Sequence, residues 1–288
     1  DVLGSRGLGD VYKRQLSCSV AISALFFHAC SSSDDSMIDA PLTRADAVSE
    51  KIVFQDDFNQ ADSIPDRNKW SLCKKGSPAW SKYLSESYDQ AYVHDGKLVL
   101  VAEKVNGVYK TGGVQSLGKA EFQYGKIEIC ARFTKTAKGG WPAIWMMPAK
   151  PVYSGWPACG EIDIMEQLNH DGIVYQTIHS HYKNDLGFTK PVPTKTVSYN
   201  KGQFNIFGIE WTPEALTFKV NGAATLVYPN LHLADESVKK QWPFDTSFYL
   251  ILNYALGGPG TWPGTITDSE LPAKMEIDWV KVSQPTGR

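Results

Sequence analysis

The segment Gly160–Gln167 (GEIDIMEQ) decides the fold, because it combines an apolar strand with three acids. Side chains alternate between the two faces of a β-strand, so Glu161 and Asp163 share one face while the isoleucines point to the core. Glu166 lies five positions after Glu161, which is the wrong parity for that face. One extra residue, a β-bulge at about Met165, returns Glu166 to it. We therefore predict a bulged strand with three carboxyls on one face.

Three clustered acids indicate chemistry rather than packing. An unpaired carboxylate facing the core would cost about several kcal/mol, and the segment carries no cation to pair with. Glycoside hydrolysis needs one ionised carboxylate as nucleophile and one protonated carboxyl for the leaving oxygen. Asp163 between them can hydrogen-bond the nucleophile and keep the acid protonated through its charge. Neighbouring same-face carboxyls can lean to a gap of about 5–5.5 Å, which predicts retention of configuration.

Two neighbouring segments carry further candidates. In Trp141–Met147 (WPAIWMM), Trp141 and Trp145 share one face about 13 Å apart, where they either stack on sugar rings or pack a core. In Tyr175–His181 (YQTIHSH), the face that holds His179 is polar, as for a strand that meets solvent or a cleft. His179 is either structural or functional on this evidence.

Short β-type runs separated by Gly, Pro, Asn and Asp continue along the chain from Lys51,. Helical periodicity is nearly absent, and Leu231–Lys240 is the one short helix that we predict. Many short strands without intervening helices indicate a sandwich or barrel. A body of about 235 residues suits an all-β jelly-roll sandwich of two curved antiparallel sheets.

Composition excludes several classes of protein. The 288 residues are 42% hydrophobic, which excludes a disordered chain, and the net charge of −2 argues against a nucleic-acid partner,. The 9 Trp, 13 Tyr and 12 Phe residues supply flat rings of the kind on which sugars stack. Beyond Cys30 only three cysteines remain, so disulfides do not hold this fold, and their spacing fits no zinc site,. We expect a monomer.

The first 48 residues differ from the body. Leu16–Cys30 is apolar but shorter than the about 20 residues of a membrane span,. It resembles the signal segment of exported bacterial lipoproteins of the Bacteroides type, in which a cysteine is lipidated, here Cys30. We predict a non-native start with this signal over 1–30, a flexible tether over 31–48 and a catalytic domain over 49–284. The protein is then exported to the outer membrane, facing the cell surface or periplasm, and contacts the membrane only through its lipid.

The acidic segment resembles the E-x-D-x-x-E signature of glycoside hydrolase family 16 in its laminarinase-like form. Supporting matches run over about 51–283 and include Gly140–Trp145 (GWPAIW), Tyr124–Glu128 (YGKIE) and Ile277–Val280 (IDWV). The resemblance implies a retaining endo-β-glucanase that cuts β-1,3 or mixed β-1,3/1,4 glucans by double displacement without a catalytic cofactor.

The resemblance also implies roles for individual residues. The nucleophile would be Glu161, the assisting acid Asp163 and the general acid/base Glu166. Substrate contacts would come from three strands, one loop and a turn: Trp141, Trp145, His179, Asn253, Trp262 and Gln90. Gln90 and Cys130 depart from the residues that are usual in the family. A structural calcium, which many relatives bind, would use Asp57, Gly96 and Asp278.

Three alternatives remain open at this point. The same fold and motif occur in agarases, porphyranases and carrageenases, whose sulfated substrates favour basic clefts; no Arg or Lys stands out beside the motif strands. A transglycosylase would differ only in water access. A lectin-like sugar-binding module would need the aromatic residues but not the clustered acids.

Overall fold

The computed structural model describes residues 49–286 and is built almost entirely of β-strands. The predicted segments 1–30 and 31–48, with the predicted lipidation site Cys30, lie outside the described residues. Two antiparallel sheets of nine and seven strands enclose the core, which confirms the predicted jelly-roll class. Within the described part of the chain, no helix has the length and apolar character that crossing a membrane requires.

Sixteen strands follow one another along the chain. In order they are β1 (Glu50–Asp56), β2 (Ser71–Leu72), β3 (Ala91–His94), β4 (Lys97–Val105), β5 (Val108–Thr111), β6 (Gly113–Gln115), β7 (Gly125–Lys135), β8 (Gly140–Pro148), β9 (Glu161–Gln167), β10 (Ile173–His179), β11 (Thr194–Ser198), β12 (Asn205–Trp211), β13 (Ala215–Val220), β14 (Ala223–Pro229), β15 (Phe248–Leu256) and β16 (Ala273–Pro285).

The two sheets have different strand orders. The nine-stranded sheet runs β14-β13-β12-β7-β16-β4-β3, with β1 paired to β16 and β5 paired to β4. The seven-stranded sheet runs β11-β10-β9-β8-β15-β6-β2. The acidic strand β9 therefore lies near the middle of the smaller sheet, between the tryptophan strand β8 and the histidine strand β10.

Alternation along the strands of the smaller sheet separates core from cleft. Ile162 of β9, Ile144 of β8 and Leu252 of β15 are fully buried and pack in the core between the sheets. Their neighbours in sequence, such as Trp145 and Asn253, point to the opposite face. Because the inner face is mainly apolar, with the hydrogen-bonded Gln176 as a buried exception, the register that buries it also turns the neighbouring residues outward,.

The predicted β-bulge is present in β9. Asp163 pairs with Trp145 and Glu166 with Ala143, so β9 uses three residue steps where β8 uses two. The two residues inside the bulge, Ile164 and Met165, are both fully buried. The bulge thus places the side chain of Glu166 on the face of Asp163, as the parity argument requires.

The helix prediction was wrong. Leu231–Lys240 is not helical: His232 has a φ of 49°, which is incompatible with a right-handed helix, and only a 3₁₀ turn at Lys239–Gln241 follows,. Two more 3₁₀ turns cover Ala79–Ser81 and Asp268–Glu270. The single α-helix among the described residues, α1 (His181–Asn184), follows β10 directly.

The predicted strand through His181 therefore ends two residues earlier, at His179. Ser180 is the N-cap of α1, and its hydroxyl accepts a hydrogen bond from the Lys183 N–H,. This cap turns the chain at the end of β10. It brings the short helix beside the polar face of that strand.

Candidate active site

A cleft of about 900 Å³ lies on the outer face of the seven-stranded sheet. It crosses the strands from β10 to β15 and is closed along its rims by loops. Aromatic rings from strands and loops form much of its lining: Trp80, Trp141, Trp145, Trp156, Tyr249 and Trp262. All three predicted catalytic acids, Glu161, Asp163 and Glu166, open into it.

The carboxyl of Glu161 has two polar neighbours. Trp156 Nε1 donates a hydrogen bond to Glu161 Oε2 over 2.8 Å, and His179 Nε2 lies 3.8 Å from Glu161 Oε1. Burial, followed by the charge of Asp163, raises the pKa of Glu161 to about 8, while His179 and the Trp156 hydrogen bond oppose this rise. The two contacts therefore favour the ionised form that a nucleophile requires.

Asp163 is the most deeply buried of the three acids, with 2% of its surface exposed. Its Oδ2 atom lies 3.2 Å from His179 Nε2 but makes no well-aligned hydrogen bond within the described residues. Burial raises the pKa of Asp163 to about 7, against the effects of a hydrogen bond with Glu161 and of the Lys183 charge. Asp163 and Glu161 therefore both have raised pKa values, and each influences the ionisation of the other.

Glu166 occupies the other end of the acidic row. It lies opposite Tyr175 of β10, and Trp141 Nε1 donates a hydrogen bond to its Oε1 atom over 2.8 Å. Burial and then the charge of Asp163 raise the pKa of Glu166 well above its usual value. The raised pKa favours the protonated form that a general acid requires,.

The three predicted tryptophans all line the cleft. The indole of Trp262 is 51% exposed and packs edge-on against Trp141, with ring centroids 5.8 Å apart, and against Tyr175 at 4.8 Å. Trp145 is largely buried, and its Nε1 donates to Asn253 Oδ1 over 2.7 Å. Exposed indole edges and faces in a cleft offer stacking surfaces for sugar rings, and the predicted role of these residues remains a prediction.

Asn253 and Gln90 have different positions. Asn253 lines the cleft floor, and its Nδ2 atom is buried without a partner within the described residues. Gln90 is 2% exposed, and its Nε2 donates to Glu103 Oε1 over 2.7 Å. The structure corrects the prediction for Gln90: its side chain turns into the protein and does not line the cleft.

The cleft residues that sequence reasoning missed include two tryptophans and two lysines. Trp80 packs edge-on against Trp145 with ring centroids 4.8 Å apart, and Trp156 reaches Glu161 from the loop before β9. Lys74 and Lys183 also line the cleft, which corrects the expectation that no basic residue stands beside the motif strands. All four lie on loops or short helices, where strand periodicity gives no signal; Trp156, five residues before Glu161, is the one that proximity to the motif could have indicated.

The predicted calcium residues lie where the ends of β1 and β4 flank β16 in the nine-stranded sheet. Asp57 directly follows β1, whose Asp56 pairs with Val280, and Gly96 precedes β4, whose Leu98 pairs with Ile277. Asp278 falls between these two pairs, at a register shift of β16. Carboxylate and carbonyl oxygens are ligands that calcium accepts, so the donor set fits, and calcium binding remains a prediction.

The cysteines do not crosslink the described part of the chain. Cys73, Cys130 and Cys159 are all buried and free. Burial raises the pKa of the Cys130 thiol to about 11, with a smaller contribution from the charge of Asp278. These thiols are therefore inert packing groups at neutral pH.

Comparison with known proteins places this architecture in a family. The model for glycosyl hydrolases family 16 matches residues 80–281. A keratan-sulfate endo-1,4-beta-galactosidase from Sphingobacterium multivorum is 39% identical over 81% of this chain, and the match spans 54% of that relative's length.

Two solved structures have similar folds. The laminarinase from Rhodothermus marinus superposes with a TM-score of 0.73 at 30% identity, over 83% of this chain and 99% of that one. A second structure, from work on endo-acting O-glycanases that human gut microbiota express, superposes with a TM-score of 0.72 at 38% identity. The match covers 81% of this chain and 98% of that one.

Proposed function

Because this chain belongs to glycosyl hydrolases family 16, we propose that it cleaves internal β-linkages of a polysaccharide with retention of configuration. The family makes the chain a glycoside hydrolase, and the endo-acting relative from Sphingobacterium multivorum supports endo action. The observation that carries the proposed mechanism is the acidic row of β9, in which the buried Asp163 and Glu166 and the partly buried Glu161 open into one aromatic cleft.

The proposed reaction has two displacements. The Glu161 carboxylate attacks the anomeric carbon while Glu166 gives its proton to the departing glycosidic oxygen, which leaves a glycosyl ester on Glu161. Water then attacks the same carbon, the Glu166 carboxylate takes its proton, and the bond to Glu161 breaks. Asp163 supports the first step by its hydrogen bond to Glu161 and the second by its charge beside Glu166. An acceptor sugar in place of water would give transglycosylation.

A β-1,3 or mixed β-1,3/1,4 glucan is the first substrate candidate. It is supported by the likeness to a laminarinase and by the exposed indoles of Trp156 and Trp262, which offer stacking surfaces to uncharged sugar rings. The net charge of −2 also disfavours a strongly anionic polymer,.

A β-galactoside chain that carries sulfate is the second candidate. The keratan-sulfate relative supports it, and so does Lys183, which opens into the cleft without a salt bridge to a carboxylate among the described residues. Lys74 on the other rim pairs with Glu86 over 2.8 Å and is less available to a sulfate.

A panel of substrates separates the candidates. Laminarin, barley β-glucan, agarose, carrageenan and keratan sulfate, the last with and without chemical desulfation, are assayed for new reducing ends under equal conditions. Cleavage of laminarin or barley glucan supports the first candidate, and cleavage of keratan sulfate supports the second. Proton NMR of the first product anomer tests retention, and an inverted product would contradict the mechanism. Sugar binding without cleavage of any substrate would indicate a lectin-like module.

A further inference from the structure

The imidazole of His179 has hydrogen-bond donors on one side and acids on the other. Its Nδ1 atom faces α1, where Asn184 Nδ2 lies 3.0 Å away, Asn184 Oδ1 3.3 Å away and Lys183 Nζ 3.4 Å away. Its Nε2 atom faces β9, 3.2 Å from Asp163 Oδ2 and 3.8 Å from Glu161 Oε1. The N–H proton of a neutral ring must therefore be placed so that it suits the neighbours of both ring nitrogen atoms.

The orientation of the Asn184 amide follows from the backbone. The Ser180 N–H donates a hydrogen bond to Asn184 Oδ1 over 3.3 Å. Turning the amide over would set its NH₂ group against that N–H, two donors facing each other. Asn184 Oδ1 is therefore fixed toward Ser180, and Nδ2 is left to donate to His179 Nδ1.

Lys183 acts on the same atom. An ammonium group donates hydrogen bonds and accepts none, so the lone pair on Nδ1 must face it. The nearest neighbour of Nδ1, Asn184 Nδ2, and Lys183 Nζ are donors. Asn184 Oδ1 already accepts the Ser180 N–H. The proton of a neutral ring therefore resides on Nε2.

From this geometry we propose that Asn184 and Lys183 are positioning residues that hold His179 as the neutral Nε2–H tautomer, with that N–H directed between Asp163 and Glu161. The proposal rests on the proposed function for its catalytic consequence. The Nε2–H stabilises negative charge on the two carboxyls and so keeps Glu161 ready to attack.

The charged groups around His179 agree with this arrangement. From β9 it meets Glu161, Asp163 and, farther away, Glu166, and from α1 it meets Lys183. Burial lowers the pKa of His179, and Lys183 lowers it further, against the acids. The lowered pKa favours the neutral ring, in agreement with the unprotonated Nδ1 that the contacts of α1 require.

The decisive variant is Asn184→Asp, which keeps the shape of the side chain but replaces the donor with an acceptor. It requires a proton on Nδ1, so we expect a cationic ring or the opposite tautomer. We expect kcat/KM to fall by at least about 10-fold, since the contribution of an active-site imidazole depends on its tautomer. The acid limb of the pH profile should move to higher pH, because the cationic ring must first lose a proton. The matched control is Asp185→Asn, which removes the partner of the neighbouring His181 in the same helix and should leave both readouts unchanged.

Lys183 has its own pair of variants. Lys183→Met removes the cation that lowers the pKa of Asp163 and of His179, so the acid limb of kcat/KM should move to higher pH. Lys183→Arg keeps the charge and should restore the limb. A limb that is unmoved in Lys183→Met would overturn the role of Lys183.

Nitrogen NMR of ¹⁵N-histidine-labelled protein reads the tautomer without any substrate, with His179→Gln to assign the ring. An unprotonated Nδ1 and a protonated Nε2 in the native chain between about pH 5.5 and 8, exchanged in Asn184→Asp, support the proposal. A proton on Nδ1 in the native chain overturns it, whether or not the protein cleaves a glycan. Loss of cleavage with the expected tautomer overturns the proposed function instead.

Discussion

Two clusters in this molecule each combine two carboxyls with one imidazole, and they differ in their exposure to solvent. Asp62, His94 and Asp95 meet at the β3–β4 turn, and Glu161, Asp163 and His179 meet in the cleft. In each set, one oxygen or nitrogen atom from every residue lies within 4.8 Å of the others. The chemical groups are nearly the same, but the first set is exposed throughout and the second is largely buried.

Exposure to solvent decides the direction in which the pKa values of these acids are shifted. Hydrogen bonds from the Asp95 N–H and from His94 lower the pKa of Asp62, which water continues to solvate. Burial raises the pKa of Glu161 to about 8 and of Asp163 to about 7. The comparison teaches that removal of water, rather than the choice of residues, prepares a carboxyl for acid–base work at neutral pH.

The largest expected difference is the loss of turnover on removing an acid. Glu161→Gln takes away the nucleophile and should reduce kcat by at least about 10⁴-fold, because no other carboxylate can form the ester intermediate. Asp62→Asn in the exposed set should leave kcat within about twofold of the native value. Reducing-end release from a cleaved substrate measures both, with circular dichroism as the check on folding. Native turnover in Glu161→Gln would end the assignment.

Glu166 gives the next largest effect, and one that depends on the leaving group. Glu166→Gln should lower kcat on a polysaccharide by about 10²- to 10⁴-fold, the usual contribution of a general acid. An aryl glycoside whose phenol leaves without a proton should show a much smaller loss in its first step. Equal losses on the two substrates would contradict the role of Glu166.

Asp163 links the acids, and its removal should shift the pH profile. After burial, its charge is the second cause of the raised pKa values of Glu161 and Glu166. Asp163→Asn removes that charge, so both pKa values fall and both limbs of kcat/KM move to lower pH. Asp62→Asn should leave both limbs in place. Profiles from about pH 4 to 10 test this, and a shift of Asp163→Asn to higher pH would refute it.

Much of the cleft was predictable because alternation in strands is a local rule. The parity of Glu161, Asp163 and Glu166 required a bulge, and the bulge is present across Ile164–Met165. These features depend on side-chain direction within one strand. They need no knowledge of what lies beside it.

The missed and mistaken residues depend on partners far along the chain. Lys183 reaches the cleft because Ser180 caps a four-residue helix, and Trp80 reaches it from a 3₁₀ turn. Gln90 was predicted to line the cleft from its position in the family pattern. Glu103 of β4 accepts a hydrogen bond from the Gln90 amide and holds that side chain inside the protein. Loop side chains are directed by such tertiary contacts, for which a periodic pattern gives no sign.

The smallest expected effect is on stability, and the two sets should differ in sign. A folded-state pKa that is raised, as for Glu161, stabilises the fold fully below the unfolded pKa, and this contribution is lost as pH rises toward about 8,. Replacing the group with a neutral amide removes that loss. The free energy of unfolding of Glu161→Gln should therefore increase relative to that of the native protein as pH rises from about 5 to 9. The expected increase is on the order of 1–3 kcal/mol, or a few degrees in Tm. Asp62, with a lowered pKa, would stabilise at high pH and lose that effect on acidification, but water screens it at the surface,. The Tm profile of Asp62→Asn should overlay the native one, and thermal melts across that pH range would contradict the comparison if both variants gained equally.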